Sequence, residues 1–213
     1  DVIIADQDDI PGTGRAVQCA LDELLRSGHS LSGTILVTYG DVPMLDADTL
    51  NALVRSHDER GATVSVLTTI VDDPTGYGRI IRDETSGDVC RIVEQKDASE
   101  AERQIREINA GIYAFDGEFV RDALMHVGTN NNQGEVYLTD VLAQAYQADR
   151  VTNGVVLDDQ WMAQGCNDRV QLAELAAEMN RRICVGHMRA GVSIVDPSST
   201  WIECDVRIDV DTT

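Results

Sequence analysis

The sequence has a single lysine, Lys96, among 17 basic residues, whereas 37 aspartates and glutamates give its 213 residues a formal net charge of -20. This balance argues against electrostatic binding to nucleic acid or to an anionic membrane surface, because both carry the same sign of charge. A phosphate-bearing substrate would have to be bound by local features such as a cation, backbone amides or a few arginines. A solubilising acidic surface explains the charge equally simply.

Disulfide frameworks and zinc clusters have no support either. The five cysteines are widely spaced and form no CxxC or Cys/His cluster, which predicts reduced thiols in a cytoplasmic protein. No apolar stretch approaches transmembrane length and no signal peptide opens the sequence, so we expect no integral membrane association. The sequence starts at Asp1 and enters an apolar run at once, Val2 to Ala5, which is typical of a chain that begins inside a domain.

A second apolar run, Leu36 to Tyr39, ends in a small residue and a carboxylate, Gly40 and Asp41. Continuous apolar residues predict a buried parallel strand, and ligands of open α/β sheets bind beyond the carboxyl ends of such strands. Asp41 at that place would suit a divalent cation, which prefers oxygen ligands. A turn cap before Pro43 explains Asp41 equally well.

Strand and helix patterns alternate along the sequence and predict a doubly wound, mostly parallel α/β sheet. Predicted strands lie at 2–5, 34–38, 62–69, 108–115 and 155–157, with a hairpin over 79–82 and 89–94. Predicted helices lie at 16–25, 46–61, 98–106, 119–125, 140–147 and 170–183. From Val192 onward the helical period gives way to short β pieces such as 201–208, typical of the first rung of a solenoid.

Several polar residues admit both a structural and a functional explanation. Gly12-Thr13-Gly14 opens a helix, where backbone amides suit an anion, although the same residues form an ordinary turn and cap. Asn109 lies in a buried strand and needs a partner, either structural or a ligand hydroxyl. Glu94 at a strand end is compatible with a surface salt bridge, and capping alone explains Asn167.

Seven motifs occur together and in order. They are 12–14, 39–43, 73–79, 93–97, 108–111, 133–140 and 165–169. With this set, nearly the whole sequence resembles the uridyltransferase domain of the bacterial bifunctional N-acetylglucosamine-1-phosphate uridyltransferase and glucosamine-1-phosphate acetyltransferase family. The resemblance implies a Rossmann-like nucleotide-diphospho-sugar transferase domain at 1–168, a linker helix at 169–190 and the start of a left-handed β-helix acetyltransferase domain at 191–213.

The resemblance also assigns roles to individual residues. It implies that Gln7 reads uracil, and that Gly12 and Thr13 support the nucleotide. Further substrate-binding residues that it implies are Tyr39, Gly40 and Asp41 beneath nucleotide and sugar, and Gly78, Glu94 and Asn109 around the N-acetylglucosamine moiety. Asp41 and Asn167 are the implied catalytic residues, as the two protein ligands of Mg²⁺.

The implied reaction joins UTP and N-acetylglucosamine 1-phosphate into UDP-N-acetylglucosamine and pyrophosphate, in a cytoplasmic enzyme that is a homotrimer at full length. The acetyl-CoA-dependent acetylation of glucosamine 1-phosphate belongs to the family's remaining C-terminal part. A carboxylate and an amide oxygen suit Mg²⁺, which keeps few protein ligands. No Ser/His/Asp or Cys/His arrangement is needed, because no covalent intermediate forms.

The sequence departs from the family pattern at several places. Ile10 stands where glutamine is frequent, Arg15 where histidine is usual and Asp209 where a hexapeptide-repeat glycine is expected. The family's N-terminal Gly-rich phosphate loop precedes the given sequence, so we expect weak or no activity from these 213 residues alone. One alternative is a sugar-1-phosphate nucleotidyltransferase for dTTP or GTP, although Gln7 and Asn109 favour uridine and an N-acetylated sugar. The other is a noncatalytic sugar-nucleotide-binding module.

Overall fold

A computed structural model describes residues 2–213, which divide into two compact units. The first unit comprises residues 2–39 and 45–163, and the second comprises Gly40–Met44 and Gln164–Thr213. The elements of the first unit are α1 Thr13–Arg26, β1 Thr34–Val37, α2 Ala47–Arg60, β2 Val64–Ile70, β3 Arg79–Arg82, β4 Val89–Val93, α3 Glu100–Arg103, β5 Glu107–Asp116, α4 Gly117–Leu124, α5 Asp140–Gln147, β6 Thr152–Leu157 and a 3-10 turn at Gln160–Ala163. The second unit contains α6 Arg169–Arg189.

Local chemistry explains where these helices begin and end. The Asp46 side chain accepts a hydrogen bond of 2.8 Å from the Thr49 amide and thereby caps the first turn of α2. Gly61 ends the same helix in the left-handed conformation, with φ at 57°. The predicted bounds of α2 are therefore confirmed to within a residue, because both signals act on their immediate neighbours.

The sheet is mixed, which corrects the predicted mostly parallel arrangement. Its strand order is β4-β3-β5-β2-β6, and β1 also pairs with β5. Among the described residues only β2 and β6 pair in parallel, while the other four pairings are antiparallel. Strands β1, β2, β3 and β6 do share one direction, as the strand-helix alternation predicted. The late strand β5 runs the opposite way and separates β1 from β2, which makes its pairings antiparallel.

Strands β2 and β5 form the centre of the core. The first six residues of β2 are buried, and Ile112 to Phe115 of β5 are completely inaccessible to solvent. Burying each such large apolar side chain contributes roughly 1.5–3 kcal/mol. The continuous apolar runs that predicted these strands therefore have the expected cause, because both faces of the central strands are covered.

The predicted first strand, Val2 to Ala5, is wrong. This run takes part in no strand of the described structure, and Val2 and Ile4 are 91% and 82% exposed. An apolar run becomes a strand only when a neighbouring strand accepts its backbone hydrogen bonds, and none of the described strands pairs with it.

In the second unit, the predicted β pieces after Val192 are not regular strands. The Ser193 amide donates a hydrogen bond of 2.8 Å to the Thr212 carbonyl, and the Asp211 amide donates one of 2.9 Å to the Gly191 carbonyl. The buried side chain of Asn180 in α6 binds the Thr200 carbonyl at 2.8 Å. The domain boundaries at 168 and 190 and the start of a β-helix at 191 remain predictions.

Helix α6 has 21 residues, the length of a membrane-spanning helix. Its residues include Glu178, whose carboxylate accepts hydrogen bonds of 2.6 Å from both Arg181 and Arg182. Within residues 2–213, no helix combines the length and the apolar character that crossing a membrane requires.

Candidate functional site

The loop before α1 is fastened to a distant backbone segment. The Gly14 amide donates to the Val136 carbonyl at 2.9 Å, and the Val136 amide donates to Pro11 at 3.0 Å. A Cβ on Gly12 would lie 2.3 Å from the Val136 carbonyl oxygen, and Gly12 has a φ of 122°. Only glycine fits at this position, because the backbones approach closely and the conformation is unfavourable for other residues.

The side chains of this loop hold it together from within. The Thr13 hydroxyl accepts a hydrogen bond of 3.3 Å from the Leu138 amide. The exposed Gln7 side chain donates to the carbonyls of Ile10 at 2.8 Å and Gly12 at 3.2 Å. Three of the predicted nucleotide-side residues thus lie together at the start of α1, where the helix dipole favours an anion.

Arg15, one of the predicted departures from the family pattern, is paired with a neighbouring carboxylate. Its guanidinium binds both carboxylate oxygens of Asp8 and donates to Gln18 at 2.6 Å. The hydrogen bond from Arg15 lowers the pKa of the Asp8 carboxyl. Arg15 therefore adds little unpaired positive charge to the loop.

Three predicted sugar-side residues converge at one edge of the sheet. Gly78 precedes β3, Glu94 follows β4 and Asn109 lies in β5, and Arg79 is in register with both Val93 and Ile108. The backbone amide of Asn109 donates a hydrogen bond of 2.9 Å to the Gly78 carbonyl. A Cβ on Gly78 would lie 3.4 and 3.5 Å from the two Glu94 carboxylate oxygens. The pairing of adjacent strands therefore brings these residues together from positions up to 31 apart in the sequence.

A bulge in β5 shapes the surroundings of Asn109. The pairing with β2 shifts register between Val66 and Thr68, and Gly111 adopts a φ of 76°. The Asn109 side-chain oxygen accepts from the Gly111 amide at 2.9 Å, which stabilises the bulge. A Cβ on Gly111 would lie 2.3 Å from the Tyr39 ring, so the missing side chain leaves room for Tyr39 beside this strand.

The environment of Glu94 is apolar and acidic. Burial raises the pKa of Glu94, and the nearby carboxylates of Asp97 and Asp140 act in the same direction. The buried Thr139 hydroxyl donates to Glu94 at 3.4 Å and opposes the shift. A cavity of about 290 Å³ borders Glu94 and is lined further by Asp97, Tyr137 and Asp140. Glu94 is thus a poorly solvated acceptor, not part of a surface salt bridge.

Thr139 was missed as a site residue, because the sequence identified it only as the start of a helix. The available signal was a polar residue directly after the apolar Leu138, at a position that proves only 3% exposed. Tyr113 was missed for a similar reason, since β5 reads as a core strand. Its hydroxyl is buried, and burial raises the pKa of this phenol.

In the second unit, the structure brings Asp41 and Asn167 together. The Cys166 amide donates to the Asp41 carbonyl at 2.8 Å. A Cβ on Gly165 would lie 3.7 Å from Asp41 Oδ2 and 3.8 Å from Asn167 Nδ2, so both side chains border the space that Gly165 leaves empty. Gly40 precedes Asp41 in this unit and has no neighbour near its own Cβ position.

Capping does not account for either polar side chain of this pair. The N-cap of α6 is Asp168, which accepts from Val170 at 2.8 Å and Gln171 at 2.9 Å. No hydrogen bond to the Asp41 carboxylate occurs among the described residues. The N-cap of α6 is thus Asp168 and not Asn167, and a ligand role for Asp41 and Asn167 remains a prediction.

The chemistry of this donor pair suits a divalent cation with few protein ligands. A half-turn of the Asn167 amide about its χ2 bond presents its oxygen in place of its nitrogen. Within residues 2–213 no group of three or more His, Cys, Asp and Glu side chains is arranged to hold a metal. Two oxygen ligands that leave the other positions to water and phosphate are typical of Mg²⁺.

Comparison with known families settles the kind of fold. A family model described as nucleotidyl transferase matches residues 1–174. The chain belongs to the nucleotidyl transferase family. The α/β class that the sequence predicted is thereby confirmed, with the mixed sheet described above.

Curated relatives of this family member are each named "Bifunctional protein GlmU". The protein of Paenarthrobacter aurescens (strain TC1) is 55% identical over 99% of this chain and 42% of its own length. That of Kineococcus radiotolerans is 52% identical over 100% and 42%, and that of Bifidobacterium longum subsp. infantis is 51% identical over 100% and 45%. The chain therefore spans less than half the length of the curated relatives it matches.

Solved structures show the same fold at low sequence identity. A nucleoside-diphosphate-sugar pyrophosphorylase from Vibrio cholerae RC9 matches with a TM-score of 0.57 at 16% identity, over 77% of this chain and 64% of that one. A UDP-glucose pyrophosphorylase complexed with UDP-glucose matches with a TM-score of 0.53 at 16% identity, over 69% and 55%.

Proposed function

We propose that this chain is the nucleotidyltransferase part of an enzyme that forms UDP-N-acetylglucosamine and pyrophosphate from UTP and N-acetylglucosamine 1-phosphate. The observation that carries the proposal is the convergence of Gly78, Glu94 and Asn109 at one sheet edge. The identity of 50–55% to proteins named "Bifunctional protein GlmU" supports it.

On the sugar side, each of the three residues has a distinct task. The Glu94 carboxylate accepts hydrogen bonds from sugar hydroxyls, which replace the water it lacks. The Asn109 amide group contacts the sugar and its N-acetyl substituent. Gly78 presents no side chain, so the ring can approach the Glu94 carboxylate and the backbone of β3.

On the nucleotide side, the loop before α1 supplies the contacts. Gln7 reads the uracil base through its side-chain amide, while Gly12 and Thr13 support the nucleotide with their backbone. The Thr13 hydroxyl and the Gly14 amide are already engaged with 136–138, so they keep the loop in place. Tyr39 lies beside Gly111 and provides an aromatic surface on the same unit.

The reaction is an attack of the sugar phosphate oxygen on the α-phosphorus of UTP, in which the bond to the leaving pyrophosphate breaks. Such a transfer depends on positioning and on neutralisation of charge, and no protein nucleophile is required. The two substrates are both anionic and the chain itself has a net charge of -20, so the negative charge of the phosphates needs local neutralisation. Asp41 and Asn167 would hold Mg²⁺, which supplies charge neutralisation and alignment of the phosphates when bound.

The remaining assignments concern the longer protein. We place it in the cytoplasm, consistent with five free cysteines in the structure. Assembly as a homotrimer and acetyl transfer from acetyl-CoA to glucosamine 1-phosphate are assigned to the part of the relatives that this chain does not span.

The transferase proposal is tested on the chain as its gene encodes it. UTP, dTTP and GTP are each offered with N-acetylglucosamine 1-phosphate and with glucose 1-phosphate, and pyrophosphate release is measured. We expect UTP with the N-acetylated sugar to give the highest kcat/KM. Preference for dTTP and glucose 1-phosphate would overturn the proposal, and sugar-nucleotide binding without pyrophosphate release would identify a binding module.

The metal pair is tested without reliance on activity. Mn²⁺ binding, followed by its electron paramagnetic resonance signal, should weaken in Asp41→Asn and in Asn167→Ala. Asp205→Asn, an exposed carboxylate of the same unit, is the matched control and should bind Mn²⁺ like the unchanged chain. Unaltered Mn²⁺ binding in both site variants would remove Asp41 and Asn167 from the proposed role.

A further inference from the structure

Arg79, from a motif that the proposed function leaves without a role, is a completely buried cation. It is 1% exposed at the first position of β3. Its guanidinium donates to the Tyr77 carbonyl and, at 2.5 Å, to the side-chain oxygen of Gln95. The same Gln95 oxygen accepts from the Gly76 amide at 3.4 Å. Arg79 and Gln95 therefore hold the loop 76–78 through hydrogen bonds to the Tyr77 carbonyl and to the Gly76 amide.

This arrangement is expensive for the fold. Within residues 2–213 no carboxylate forms an ion pair with Arg79, and its buried Nε has no hydrogen-bond partner. Burial lowers the pKa of Arg79 and the charge of Arg103 acts in the same direction, whereas the carboxylates of Asp73 and Glu94 oppose the shift. A buried charge without a directly bonded carboxylate is unfavourable, and replacement of such a group by an apolar side chain of similar volume is often neutral or stabilising. Arg79 is held here by hydrogen bonds to the Tyr77 carbonyl and to Gln95 in place of an ion pair.

The loop that Arg79 and Gln95 grip leads directly into the sugar-side residues. Gly76 has a φ of 91°, so the loop turns sharply before it reaches Gly78. The Gly78 carbonyl accepts from Asn109 at 2.9 Å, and the Gly78 α-carbon faces the Glu94 carboxylate. Glu94 is also the residue immediately before Gln95. A shift of this loop would consequently change the spacing of all three sugar-side residues.

We propose that Arg79 and Gln95 form a clamp that positions Gly78, Glu94 and Asn109 for the sugar phosphate substrate. Arg79 and Gln95 are positioning residues, since they act through the loop 76–78 and not on the reacting atoms. The inference rests on the proposed function for the identity of the substrate, whereas the clamp itself is a property of the first unit alone.

The kinetic test uses Gln95→Ala and Gln95→Glu in the chain as its gene encodes it. Loss of the Gln95 acceptor should raise the KM for N-acetylglucosamine 1-phosphate roughly tenfold, the effect of one charge-assisted hydrogen bond, and leave kcat and the KM for UTP nearly unchanged. Gln95→Glu keeps the acceptor for Arg79 and should restore the KM. Gln104→Ala, an exposed glutamine outside the clamp, is the control.

A merely structural role would lower the unfolding midpoint of Gln95→Ala while the folded enzyme kept its KM for the sugar phosphate, and that result would overturn the proposal. Amide hydrogen exchange of residues 76–78 in the ligand-free chain tests the clamp independently of the proposed function. The clamp predicts faster exchange there in Gln95→Ala than in the control, and equal exchange would refute it whatever the activity. A wild-type chain that transfers no uridyl group would instead refute the proposed function.

Discussion

Replacing Gly12 by alanine tests how the loop before α1 is held. The new methyl group would lie 2.3 Å from the Val136 carbonyl oxygen and 2.6 Å from its amide nitrogen. Both atoms belong to the backbone, so no side chain can rotate away to relieve the contact. The substitution therefore has to displace the segment at Val136 or the loop itself.

Two separate costs determine the size of the effect. With φ at 122° and ψ at 150°, Gly12 occupies a region reserved for glycine, and alanine there costs about 1–3 kcal/mol. Relieving the contact with buried Val136 adds roughly 1–3 kcal/mol, as for overpacked cores. We expect Gly12→Ala to lower the free energy of unfolding by about 2–6 kcal/mol in total.

Urea denaturation followed by circular dichroism measures this loss, with Gly33→Ala as the matched control. Gly33 also has a positive φ, 94°, but nothing lies within 4 Å of its Cβ position, so its substitution carries the conformational cost alone. The difference between the two variants isolates the contact with Val136. If Gly12→Ala is no more destabilising than Gly33→Ala, the close approach of loop and segment does not exist in solution.

Three further predictions concern the site and the core. Gly165→Ala places a methyl group at 3.7 Å from the Asp41 carboxylate and 3.8 Å from the Asn167 amide, so Mn²⁺ affinity should fall severalfold while the urea midpoint stays unchanged. Burial lowers the pKa of His57 below its usual 6.5, so the unfolded chain takes up a proton at higher pH than the folded chain and stability falls as pH drops below 6.5; His57→Gln should flatten this fall in urea titrations at several pH values. Burial raises the pKa of Glu94 and its ionised form destabilises the fold near neutral pH, so Glu94→Gln should raise the urea midpoint at pH 7 while calorimetry shows weaker binding of N-acetylglucosamine 1-phosphate.

Each of these has an outcome that contradicts it. Unchanged Mn²⁺ affinity in Gly165→Ala would mean that the space beside this glycine holds no ion. An identical pH dependence in His57→Gln would show that this imidazole titrates alike in both states. For the third, Glu84→Gln is the control at an exposed turn, and equal sugar phosphate affinity in Glu94→Gln and Glu84→Gln would remove Glu94 from the sugar side.

Features governed by near neighbours were predictable from the sequence. Asp46 and Gly61 delimit α2 because a cap bonds to amides three residues away and a left-handed glycine acts on the preceding turn. The apolar run at Val2 to Ala5 misled for the opposite reason. Its hydrophobicity is local, whereas strand formation depends on a partner that its own residues do not specify.

The sheet likewise divides into features that were predictable from local sequence and features that were not. Strand direction followed from the alternation of strands and helices, because a crossover helix returns the chain to the same edge. The identity of neighbouring strands did not follow, since β5 lies between β1 and β2 although it begins 37 residues after the end of β2. The bulge at Gly111 that places Asn109 also depends on this pairing.

The sequence by itself determined the residue types of the proposed site, and the family resemblance assigned them their roles. It named Gly78, Glu94 and Asn109, and it named Asp41 and Asn167, without any means of showing that members of each set meet. The tertiary structure decided that they do, through strand register for the first set and through the contact of 40–44 with 164–213 for the second. It also decided which explanations by capping fail, because Asp168 bonds to the first turn of α6 and leaves Asn167 uncommitted. A helix cap depends on contacts within one turn, whereas a ligand site depends on contacts between segments that are far apart in the sequence.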